Sequence, residues 1–163
     1  MDAISLRALA QRAGVSHAAP AHHFGNRQGL LTEFAIAGFE LLAAALHGAA
    51  GDFREMALAY LRFARTCPGH FDVMFRFALL RTDDARLAAA RDRSSGELRS
   101  GVAQLGVPVE NRAATELSAW SLVHGFAVLW RAGALGDSPL GGGDPEALAR
   151  QMVATIEFVG ETR

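Results

Sequence analysis

The chain has 163 residues, half of them hydrophobic, with 16 basic side chains against 17 acidic ones and a formal net charge of −1. That length holds one domain, or a small one joined to a medium one, and the apolar content is enough for a real core, which excludes wholesale disorder. A near-neutral balance excludes a protein coated in nucleic acid, but not a small local DNA-reading face, because phosphate binding depends on local charge.

Strand formers are few and Ala, Leu and Arg are many, which predicts an all-α protein. The basic side chains other than His are all Arg, as the codon bias of a GC-rich genome produces. Cys67 is the only cysteine, so neither an intrachain disulfide nor a cysteine-based metal framework is expected. The N-terminus lacks a basic-then-apolar signal. The longest strongly apolar run free of Asp, Glu and Arg, Leu117 to Trp130, is too short to span a bilayer. A cytoplasmic protein with no membrane partner is expected.

In chain order, Leu6, Leu9, Ala10 and Ala13 keep helical spacing until Gly14 stops them. Ser16 is the expected N-cap of a second short helix running to about His23. Asn26 is positioned to cap a longer helix whose apolar face reads Leu30, Leu31, Phe34, Gly38, Leu41, Leu42 and Ala45. Asp52, with Glu55 three residues on, opens a helix carrying Met56, Tyr60 and Phe63, which ends at Cys67-Pro68. A densely apolar segment from Phe71 to Leu80 follows, and Thr82 is the expected cap of a charged helix towards Leu105. A long helix runs from about Asn111 to Ala132. Gly133 to Gly143 reads as a loop, and Asp144-Pro145 opens a last helix ending near Val159. The composition shift at Gly48 to Gly51 places a domain join there. Residues 1–47 form a small N-terminal unit with a bridging helix, and residues 48–163 form a larger helical unit.

Two short helices joined by a tight turn need a small residue where they cross; Ala10 sits there, Gly14 supplies the turn and Val15 plugs the gap. Such a unit lays its second helix in the major groove, with the N-terminal side chains at base edges. His17 can donate or accept there, Ala18 and Ala19 can touch a thymine methyl, and His22 lies nearby. Ser16 and Arg27 suit phosphates, as do Ser5 and Arg7 at the start of the first helix. Read from spacing alone, the same segment is also an ordinary helical hairpin.

The string Leu6-Arg7-Ala8-Leu9-Ala10-Gln11-Arg12-Ala13-Gly14-Val15-Ser16, followed by His22-His23-Phe24, resembles the TetR family of bacterial regulators. The resemblance implies an N-terminal helix-turn-helix in a three-helix unit, then an antiparallel helical ligand-binding and dimerisation domain. It implies a repressor released from a double-stranded DNA operator by a small-molecule effector, with no cofactor. Three departures stand out. The family carries a full helix before the first one here, so either the start codon of this sequence is placed too late or the DNA-binding unit is degenerate; the intact remainder favours the former. Ala21 stands where a phosphate-contacting Tyr is usual, and Pro20 where an aliphatic is usual.

Further on, Ala119-Trp120-Ser121-Leu122-Val123-His124-Gly125 resembles the Trp-His-Gly signature of one TetR C-terminal class. The helix around it is apolar or small nearly all round, so most of its sides need cover. Its small stripe of Ser118, Ser121 and Gly125, with Val128, is expected to meet a second copy, together with Met152 and Ile156 of the last helix, in a twofold four-helix interface. That symmetry suits a palindromic operator. A ligand pocket is expected along Tyr60, Phe63, Cys67, Phe71, Met74, Phe75, Trp120 and His124, although aromatic and Met stripes at helical spacing are more often simply core.

Against an enzyme, the sequence shows no nucleophile elbow, no phosphate loop and no paired acids with pocket signals. His17, His22 and His23 lack the i, i+4 spacing of a helical metal pair, so no metal is expected. The nearer alternative is a helical small-molecule-binding dimer that has lost DNA binding.

Overall fold

The computed structural model describes residues 6–16, 18–136 and 144–155. Among them there are eight α-helices, one 3₁₀ turn and no strand. The helices are α1 (Leu6–Ala13), α2 (Ala19–Phe24), α3 (Arg27–His47), α4 (Phe53–Thr66), α5 (Pro68–Met74), α6 (Ala85–Gln104), α7 (Val109–Arg131) and α8 (Pro145–Ala154), with the 3₁₀ turn at Phe77–Leu79 between α5 and α6.

Local capping chemistry sets several of these boundaries. Asn26 accepts the Gly29 N–H at 2.9 Å to open α3, Asp52 accepts from the N–H groups of Arg54 and Glu55, and Asp144 accepts from Glu146 N–H. Two expected caps move. Ala18, without a side-chain bond, takes the place of Ser16 before α2. Asp84 replaces Thr82 before α6, its carboxylate accepting from Arg86 and Leu87 N–H. Helix α7 opens at Val109 behind Pro108, two residues earlier than expected.

Helix α3 is the centre of the fold and packs against α4, α5 and α6. Its buried face is Leu31, Ala35, Ile36, Phe39, Leu42 and Leu46, with Thr32. Phe34 and Leu41, expected inward, are 37% and 46% exposed; Phe34 stacks on the His70 ring at 4.0 Å. Helix α3 is apolar nearly all round, so periodicity alone does not set which side turns inward; the neighbours do. Glu33 pairs with Arg86 at 2.6 Å and Glu40 with Arg93, seven residues on along both helices, so α3 and α6 run in the same direction. By length and composition α3 is also long and apolar enough to cross a bilayer (21 residues, mean hydropathy 1.6). Half of its most apolar stretch is buried, as in a core helix.

Met74, Leu87 and Ala90 are sealed within the core that α3 shares with α4, α5 and α6. Burying a Met or Leu side chain contributes about 1.5–3 kcal/mol. Helix α8 lies along α4 through Ala149 and Val153. Its Glu146 meets Arg62 at 3.2 Å, and that hydrogen bond, with help from Arg150 and Arg65, holds the carboxyl below its usual range. The end of α7 is stapled by Arg131, which donates to Ala64 O at 3.2 Å, to Pro68 O at 3.4 Å and to Asp72 Oδ1 at 2.8 Å.

Candidate functional site

Helices α1 and α2 make a tight two-helix corner. Ala10 is 1% exposed at their crossing, Gly14 takes a φ of 68°, and Val15 N–H donates to Ala10 O at 3.1 Å. Pro20 falls in the first turn of α2, where its missing N–H costs no helical bond, and its side chain is buried. Val15 does not plug the corner as expected: it is 48% exposed, and Leu9 is 38% exposed. Arg7, Ser16, Ala18, His22 and Arg27 all face solvent, and Ala19 is half-buried. Ser5 and His17 lie outside the described residues. One signal escaped the sequence reading. From residue 6 to residue 32 the chain carries Arg7, Arg12 and Arg27 and no Asp or Glu, so this corner is locally basic within a near-neutral chain.

The second feature is a partly open cavity of about 430 Å³ lined chiefly by α3, α4, α6 and α7. Phe39, Leu42 and Leu46 come from α3, and Met56 and Tyr60 from α4. Phe75 and Phe77 flank the start of the 3₁₀ turn, Leu98 comes from α6, and Trp120 and Val123 from α7. Polar groups sit along the α6 wall, with Arg91, Ser95 and Arg99 at i, i+4 and i+8, and Glu116 of α7 also lines the cavity. Arg91 lies over the Phe77 ring at 4.3 Å. An apolar chamber of this size with a few polar groups is what a small-molecule site needs.

Of the residues expected to line a pocket, Tyr60, Phe75 and Trp120 do so. His124 stands just behind them. Its Nδ1 is 2.8 Å from the Tyr60 hydroxyl, and its ring packs on Phe75 at 4.7 Å and Trp120 at 5.5 Å. Burial pushes the Tyr60 phenol up, opposed in part by a hydrogen bond with the Trp120 side chain. Burial lowers the His124 pKa below the ordinary value, which favours the neutral imidazole. The Trp-His spacing thus builds a neutral polar pair into an aromatic wall. Phe63, Phe71 and Met74 are buried core residues outside the cavity lining: Phe71 packs behind it on the Tyr60, Phe75 and His124 rings, and Met74 lies beside Gly38 of α3. Cys67 is half-buried between α4 and α5, outside the cavity, as a free thiol.

The outer face of α7 is open. Ser118, Ser121 and Val128 are exposed and Gly125 is half-buried, flanked by Leu117 at 60% and Leu129 at 49% exposure. No charged side chain stands on that stripe between Ser118 and Leu129. Met152 is half-buried on α8, and Ile156 lies outside the described residues. Among the described residues, no three His, Cys, Asp or Glu side chains converge to hold a metal ion.

The described residues thus combine an all-α architecture with a basic helical corner and an apolar cavity. Residues 53–156 match the family described as "Tetracyclin repressor-like, C-terminal domain". The chain therefore belongs to the TetR family of transcription regulators. A protein of unknown function from Rhodococcus sp. RHA1 superposes with a TM-score of 0.76 at 29% identity, over 93% of this chain and 82% of that one. A structure named "putative regulatory protein SCO4313" superposes with a TM-score of 0.74 over 93% of this chain and 83% of that one; at 21% identity it is a likeness of fold. The sequence matches no curated protein.

Proposed function

We propose that the chain is a cytoplasmic, ligand-responsive repressor that binds a palindromic operator as a homodimer and is a binding protein rather than an enzyme. In this reading residues 1–47 form the DNA-binding unit and residues 48–163 the effector and dimerisation unit, of the Trp-His-Gly class. Helix α2 enters the major groove with Ala18, Ala19, His17 and His22 near base edges. Ser5, Arg7, Ser16 and Arg27 hold phosphates. A small apolar effector occupies the cavity beside Tyr60, Phe75 and Trp120. A second copy covers Ser118, Ser121, Gly125 and Val128, with Met152 and Ile156 at the seam.

The observation that carries this reading is helix α3. Its first turn is capped beside the end of α2, and its second half, through Phe39, Leu42 and Leu46, walls the cavity. One rigid element thus runs from the basic corner to the effector chamber. The test is electrophoretic retardation of the promoter region of the chain's own gene across a salt series. Retardation that weakens steeply with salt is the expected result, because counterions are released from phosphates. Absence of retardation at low salt sinks the DNA-binding half of the reading. The exposure of Leu9 and Val15 favours a second reading, a small-molecule-binding dimer without DNA affinity, and the same assay separates the two.

A further inference from the structure

At the joint of α2 and α3 sits a residue far from both helices in sequence but next to the turn that carries Phe77. We propose that Arg81 is a positioning residue that fixes the angle of α2 on α3 and ties that angle to the cavity wall. The proposal rests on the reading of α2 as the DNA-contacting helix.

Arg81 Nη2 donates to Phe24 O at 3.3 Å and to Asn26 Oδ1 at 3.0 Å. Phe24 is the last residue of α2 and Asn26 is the cap of α3, so one guanidinium bridges the two helices at their joint. A cation at the carbonyl end of a helix is electrostatically favourable, and charge-assisted bonds are the stronger kind. The backbone beside it is fastened as well. Arg81 N–H donates to Thr32 Oγ1 at 2.9 Å, and the Thr32 hydroxyl donates to Gln28 O at 2.8 Å. Gln28 Nε2 donates to Leu80 O at 3.0 Å. The Leu80–Arg81 peptide is thereby hooked to the opening turns of α3 from both flanks.

The joint is built around two glycines, of which Gly29 has no room for a side chain. A Cβ on Gly29 would sit 2.0 Å from Phe24 O and 2.8 Å from Arg81 Nη2, and Gly25 holds a φ of 75° with the same nitrogen 3.3 Å from where its Cβ would lie. The guanidinium fills the space a side chain would take. From Arg81 the path to the cavity is short. Leu80, 2% exposed, donates its N–H to Phe77 O at 3.0 Å, closing the 3₁₀ turn, and the Phe77 ring lines the cavity. A shift of Phe77 to accommodate an occupant moves the turn that carries Arg81, and with it the end of α2.

Amide hydrogen exchange on the full chain tests this without any DNA or effector. Arg81→Met should speed exchange in residues 19–30 by about tenfold, with less than about twofold change in α4, since local opening there loses its charge-assisted bonds. Arg81→Lys, which keeps the charge, should restore part of the protection. Phe77→Ala should also speed exchange in residues 19–30, but should add little on top of Arg81→Met, the non-additivity expected of residues acting along one path. Unchanged exchange in residues 19–30 for Arg81→Met, or fully additive effects in the double variant, overturns the proposal. A promoter shift run alongside separates the two readings. Altered exchange without any DNA retardation leaves the clasp standing and removes the regulator reading. DNA retardation with unaltered exchange does the reverse.

Discussion

Helices α3 and α7 are the two longest in the chain and both are apolar or small around most of their circumference, yet α3 buries nine of its 21 residues and α7 only Val123 and Ala127 of its 23. Helix α3 is enclosed by α4, α5 and α6, whereas α7 rests on α4 and α6 and leaves a stripe of Leu117, Ser118, Ser121, Val128 and Leu129 open. An apolar circumference therefore states how much cover a helix needs, not where the cover comes from. For α3 it comes from the same chain. For α7 a second copy is the cover that the small residues and the missing charges favour.

The contrast can be broken at either helix. Leu31→Ala, on the buried face of α3, should cost about 2–5 kcal/mol in urea unfolding, through lost burial and the cavity left behind. Leu129→Ala on the open face of α7 should cost less than roughly 1 kcal/mol at low protein concentration, where it has no subunit to lose. Equal costs would erase the distinction between the two helices.

Self-association sharpens it further. Val128→Arg places a charge on the α7 stripe and should weaken the dimer by roughly 30–100-fold in sedimentation equilibrium, given the cost of desolvating an unpaired charge. A monomeric mass for the unaltered protein at micromolar concentration would mean that the open stripe has another purpose.

The inner side of α7 gives a smaller effect. Tyr60→Phe leaves His124 Nδ1 without its partner and should cost about 1–2 kcal/mol. Burial lowers the pKa of His124, and of His70, below the ordinary 6.5, so the unfolded chain binds the more protons of the two states as the solution becomes acidic. The contribution of these residues is complete above the unfolded value and is lost as the pH falls below it. The urea midpoint should accordingly drop between pH 7.5 and 5.5, and His124→Gln should flatten part of that slope. A slope unchanged by His124→Gln would show that this histidine titrates alike in both states. The smallest effect is expected of Glu33→Gln at the α3–α6 seam, an exposed ion pair worth less than about 1 kcal/mol, which should fade as salt is added.

What was legible in the sequence was largely what local chemistry decides. Asn26, Asp52 and Asp144 cap their helices through bonds reaching two or three residues ahead, and the all-helical class follows from residue propensities. Ser16 and Thr82 read as caps too, but Ala18 and Asp84 occupy those places, because several polar candidates compete within a few residues of each start. The inward side of α3 was legible only in part: Leu31, Gly38 and Leu42 are buried as expected, but Phe34 is as apolar as Leu31 and only packing separates them. Tyr60, Phe75 and Trp120 could be picked out for the cavity as aromatic residues on apolar stretches. The Arg91, Ser95 and Leu98 side of the same cavity could not, because α6 reads as a charged surface helix until α7 is folded across it. Arg81 left no trace in any local pattern; its partners Phe24 and Asn26 are 57 and 55 residues away.

The staple at Arg131 has a mechanical consequence. It fastens the last turn of α7 to the end of α4 and to α5, while at the other end Arg112 reaches only back to Val107 O in the preceding loop. Glu116, Leu117 and Trp120, on the half of α7 away from that staple, edge the cavity, and Leu117 also belongs to the outward stripe. The chamber wall and the open stripe are therefore two sides of one helix, fastened at its tail by a single arginine.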